Sequence, residues 1–143
     1  MSTDPLLARA RGLWEDLARV PVSFAPTGGV NVVVSPESWM CPVGWVGVMA
    51  LGGSAIVAVP SESAAVIVRD ALAGLPVEAA VDAAAVRAVL PVARVLGPAV
   101  LSYVSPEDFR PVAASSTVEQ LPGHHPALPG SLRDWDWSGW PVS

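Results

Sequence analysis

The sequence predicts an α+β fold: a mostly antiparallel sheet of about five strands with helices packed on it. Three observations predict it. Apolar residues recur at helical spacing over residues 5–19, and a β-branched run bounded by turn residues follows at 30–34, with further apolar strand runs at 45–51 and 54–59. After these the order becomes helix, helix, strand, strand, which is mixed and does not alternate regularly. The chain has 143 residues, 52% of them hydrophobic and 15% charged. That is the length of one domain, with enough apolar content for a packed core.

The elements follow in order. Asp4 and Pro5 form a helix start, a carboxylate N-cap with proline at the first helical position. Leu6, Leu7, Ala10, Leu13, Trp14 and Leu17 make the apolar stripe of a helix that runs to about Arg19 and stops at Pro21. After the turn at 26–29, Val30–Val34 is a strand, and 35–44 is a loop holding Trp39 and Cys41. Strands at 45–51 and 54–59 flank Gly52 and Gly53, which is a hairpin signal. Ser61 caps the next helix and Gly74 ends it, with Val66, Ala71 and Leu72 sharing an inner face with Ile67 or Val68. Asp82 caps a short helix at 83–90, ended by Pro91. A fourth strand is expected at 99–104, a helical turn from Ser105, and a short edge strand at 117–121. Residues 1–122 read as the domain and 123–143 as a tail rich in Pro, Gly and Trp.

Composition excludes several classes. The formal charge is −5 and every one of the eight basic residues is Arg, without a basic cluster. Neither a nucleic-acid groove nor an anionic membrane surface is expected. The lack of lysine beside so much Ala, Val, Gly and Arg reads as a high-GC bacterial coding bias. Cys41 is the single cysteine, which fits a reducing compartment, and residues 1–20 carry acidic side chains and read as no signal peptide. A cytoplasmic location is the expectation.

Candidate site residues are few. His124 and His125 are the only histidines, with Asp134 and Asp136 nearby. Together they are the candidates for acid–base work, yet no established metal spacing is present and no metal is expected. The carboxylates Glu15, Asp16, Glu107 and Asp108 are not singled out by any motif. Cys41 has no basic neighbour in sequence and reads as a buried thiol. Trp135, Trp137 and Trp140 crowd the end of the chain; with Trp39 and Trp45 they mark a ligand or partner surface, or a clasp on the core.

Several strings carry a resemblance. Leu13-Trp14-Glu15-Asp16-Leu17-Ala18, then Gly28-Gly29-Val30-Asn31-Val32-Val33-Val34-Ser35-Pro36, resemble the opening of actinobacterial two-domain GNAT-family N-acetyltransferases. So do Cys41-Pro42-Val43-Gly44-Trp45-Val46-Gly47-Val48, the stretch from Leu90 to Ala99, Glu107-Asp108-Phe109 and His125-Pro126-Ala127-Leu128. The resemblance is to the amino-terminal half of such proteins. It implies a GNAT-like half-fold whose catalytic, acetyl-CoA-binding half has no counterpart in these residues. Arg94, Gly97 and Ala99 also match the family's R-x-x-G-x-A pyrophosphate pattern. They fall in the amino-terminal half, a strand is expected after them, and Pro98 removes an amide the site requires. The expectation is a turn there.

Three functions stay open at this point. The first is a GNAT-like amino-terminal domain, non-catalytic alone, that binds a partner protein or self-associates, with no cofactor. The second is a small biosynthetic tailoring enzyme with a Trp-lined pocket for a small metabolite. The third is a shortened N-acetyltransferase, and only this one needs acetyl-CoA.

Overall fold

The computed structural model describes residues 4–111. The chain through Ser105 forms one compact unit, and a second begins at Pro106. In the first unit α1 (Pro5–Leu17) is followed by β1 (Gly29–Val34), β2 (Gly47–Leu51), β3 (Ser54–Val59) and α2 (Glu62–Leu72). A 3-10 helix at Val77–Val81 and α3 (Ala83–Val89) complete it. The fold is α+β, as expected. Of the second unit, residues 106–111 are described: a turn at 106–108, then irregular backbone from which Arg110 Nη1 donates to the Glu107 carbonyl at 2.7 Å. The expected strand at 117–121 and the expected boundary between 122 and 123 lie outside the described residues.

The sheet departs from expectation in size and pairing. Among the described residues it has three strands in the order β1-β3-β2. The β2–β3 hairpin is antiparallel, as its Gly pair predicts, but β1 runs parallel to β3, with Val32 opposite Val57 and Val34 opposite Val59. The reason lies in β3. All six of its residues are buried, and a strand buried on both faces belongs in the middle of a sheet. The 35–46 loop carries the chain past β3, so the hairpin's return strand inserts beside β1.

No strand forms at 99–104. Val100 there is 94% exposed. A β-branched run becomes a strand by packing on neighbours, and this one meets no partner strand among the described residues. Its Tyr103 instead meets α1, where Trp14 Nε1 donates to the Tyr103 hydroxyl at 2.7 Å.

The core sits between the sheet and α2. Val57, Val59, Ala65, Val68, Leu72 and Ala80 form it, with Val30, Val32, Val34 and Val48 packed around them. The buried face of α2 is therefore Ala65–Val68–Leu72, and the expected inner residues Val66 and Ile67 are 57% and 53% exposed. Small Ala65 lets the helix approach the strands closely, which selects this face. The caps read from sequence hold: Asp4 Oδ1 accepts from the Leu6 amide, Ser61 Oγ from Ala64, and Asp82 Oδ1 from Ala84 and Ala85.

The helix α1 is tied to the hairpin through Arg11. Arg11 donates to the carbonyls of Leu51 (2.9 Å) and Gly52 (3.1 Å), and its guanidinium lies over the Phe24 ring. Glu15 accepts from the Phe24 amide at 3.1 Å and fixes the return of the chain after α1.

Candidate functional site

The loop after β1 is built on buried serines. Ser35 donates its amide to the Val59 carbonyl and its hydroxyl to the Ala18 carbonyl, at 2.8 and 2.6 Å. Trp39 donates its amide to the Leu17 carbonyl at 2.8 Å, so the loop is clamped on the end of α1. The Trp39 indole stays 43% exposed beneath the Arg19 guanidinium, 4.5 Å from its ring centre. Trp45 is half-buried, just before β2, and carries Arg94 at 6.0 Å. The two tryptophans are thus each faced by an arginine, an arrangement that sequence spacing does not reveal.

Cys41 donates its thiol to the Trp45 carbonyl at 3.4 Å. Burial pushes the thiol's pKa up, which keeps it protonated and a poor nucleophile. The Cβ of an alanine at Gly47 would come within 2.9 Å of its sulfur, so strand β2 and this loop meet closely.

Arg94, Gly97 and Ala99 do not form a helix-terminus anion site in the described chain. Arg94 faces Trp45, Gly97 takes φ 91, and irregular backbone rather than a helix follows Ala99 as far as Ser105. The amides that a helix N-terminus would aim at a phosphate are not gathered there. His124, His125, Asp134, Asp136, Trp135, Trp137 and Trp140 lie outside the described residues. Among the described residues no group of three or more His, Cys, Asp or Glu could hold a metal. No helix among them is long and apolar enough to cross a membrane.

Surface concavities also occur among the described residues. An open one of about 570 Å³ lies at the end of α1, where Glu15, Asp16 and Arg19 meet Val20–Val22. Another, about 310 Å³, runs along the outer edge of β1. Val30, Val32, Leu72, Leu75 and Val77 line it, and Arg69 is the charged group among its walls. The Arg69 Nη2 donates to the Val32 carbonyl at 3.0 Å. The sequence marks Arg69 only as a cation in the last turn of a helix, a position that also suits the helix dipole. What it faces depends on the parallel placement of β1.

Apolar side chains are also left in water along 96–104. Val100 and Val104 are exposed, and Leu96 and Leu101 are about half exposed. Val66 and Ile67 extend this property to the outer face of α2. Comparison with protein-family models, curated proteins and solved structures finds no match to the chain.

Proposed function

We propose that the chain is a GNAT-like amino-terminal domain, cytoplasmic and non-catalytic in itself, that docks on a protein partner or on its own copy. The observation that carries this reading is the apolar stretch between Leu96 and Val104, which the unit leaves largely in water. Exposed apolar groups scattered singly need no explanation, but a concentration of them in one segment marks an interaction surface. The exposed Val66 and Ile67 support the same reading. The engagement of Arg94 with Trp45 supports the expectation that this segment holds no acyl-CoA.

The test is a double substitution, Val100→Ser with Val104→Ser. A docking role predicts a folding stability within about 1 kcal/mol of the parent, as for surface positions. It also predicts weaker binding of an apolar fluorescent dye and weaker self-association in sedimentation. A loss of several kcal/mol would show that these side chains belong to the core, and would remove the basis of the reading.

A further inference from the structure

The outer edge of β1 offers more than a greasy groove. Along a strand, successive peptide groups point to opposite sides. The bond from the Ser35 amide to Val59 turns the odd-numbered peptides toward β3. The amides and carbonyls of Val30, Val32 and Val34 therefore point away from the sheet, along the side where the groove lies. Among the described residues a single side-chain donor, Arg69, reaches this edge.

From this geometry we infer that the edge of β1 takes an extended segment of a partner protein as an added strand, with a carboxylate side chain opposite Arg69. The inference rests on the docking reading above and adds to it a second surface, with its partner chemistry. Main-chain pairing with Val30, Val34 and the Val32 amide, the Val32 carbonyl being already held by Arg69, supplies affinity that depends little on sequence. Selection comes from the groove. Alternate side chains of the incoming strand meet Leu72, Leu75 and Val77, which favours apolar residues. Arg69 is exposed and among the described residues makes one hydrogen bond, to a carbonyl, so its remaining donors suit a carboxylate.

A second copy of the chain fits worse. The antiparallel self-pairing that uses all three outward peptides has its two-fold axis at Val32. Each Arg69 lies on a Val32 carbonyl, so two guanidinium groups would converge on that axis. Like charges meeting at an interface oppose it. Charge complementarity at Arg69 therefore selects a carboxylate side chain at that position of the incoming strand.

The test uses the full chain, labelled with ¹⁵N, and a capped peptide of sequence Thr-Val-Thr-Glu-Thr-Val-Thr, which places Val, Glu and Val on one face. Expected are saturable shifts of the Val30, Val32 and Val34 amide signals, and binding about tenfold weaker when Gln replaces Glu, the loss of one charge-assisted hydrogen bond. The exposed variant Arg69→Glu should reverse the preference toward a peptide with Lys at that position. The proposal is overturned if these amides do not move at millimolar peptide, or if the Glu and Gln peptides bind alike. It is equally overturned if the same amides shift when the protein alone is concentrated, since a second copy would then be the occupant. Acetyl-CoA added to the same sample separates the two levels. Shifts with it contradict the non-catalytic reading, whereas a silent peptide with silent acetyl-CoA removes only this edge.

Discussion

The turn between β2 and β3 permits a paired test of how α1 is held. Gly52 and Gly53 both have positive φ, 61 and 84. Alanine at either position therefore incurs backbone strain of about 1–2 kcal/mol. Their surroundings differ. A Cβ at Gly53 meets nothing within 4 Å, whereas one at Gly52 lies 2.7 Å from Leu7 Cδ2 and 3.1 Å from Arg11 Nη2. The end of Leu7 can swing aside, so the crowding belongs at the low end of the usual overpacking cost, about 1 kcal/mol. Moving Arg11 also weakens its bonds to the Leu51 and Gly52 carbonyls, for about 1 kcal/mol more. Gly53→Ala should then cost about 1–2 kcal/mol and Gly52→Ala about 3–4. Urea unfolding followed by tryptophan fluorescence measures both, with the denaturant slope expected to stay constant. Adding Leu7→Ala should recover part of the Gly52→Ala loss and none of the Gly53→Ala loss. Equal costs for the two glycines would refute the account of α1 docking on this turn.

Three further outcomes follow from the same contacts. Ser35→Ala leaves the buried Ala18 carbonyl without its 2.6 Å partner and should cost about 1–3 kcal/mol in urea unfolding. Asp82→Ala removes the cap that holds two amides of α3 and should cost about 1 kcal/mol, read as lost helicity and a lower midpoint. Burial raises the pKa of Cys41 in the folded chain, so the folded state keeps a proton that the unfolded state releases first. Its stability contribution is then fully present below the ordinary thiol pKa and falls as pH rises through the raised one. Cys41→Ala should flatten that decline, and alkylation of Cys41 in the folded protein should be slow near neutral pH.

Much of the fold was legible because local signals agree with packing there. Asp4, Ser61 and Asp82 announce their helices by cap chemistry, and the Gly52 and Gly53 pair announces the hairpin. What was not legible depends on distant partners. The parallel placement of β1 follows from the burial of β3 on both faces, which its apolar run permits but does not impose. The inner face of α2 was read in part: Leu72 and Val68 are buried as expected, but Val66 and Ile67 look like better core residues than Ala65 and are exposed. Close approach to the sheet selects the small side chain instead. Residues 99–104 have strand letters but meet no strand among the described residues, so their propensity stays unused. Of the candidate site, Trp39 and Trp45 were visible by type, but not the arginines that face them. The groove at β1 was invisible, because Arg69 joins it only through the parallel pairing.

The central claim is that this chain acts by docking and holds no acyl-CoA site of its own. Thermal unfolding of the purified chain in a titration with acetyl-CoA tests it most directly. A ligand present at 100 times its dissociation constant stabilises a fold by about 2.7 kcal/mol, a displacement of several degrees for a domain of this size. The account predicts an unchanged midpoint up to millimolar acetyl-CoA. A midpoint that climbs with ligand concentration and saturates would contradict it.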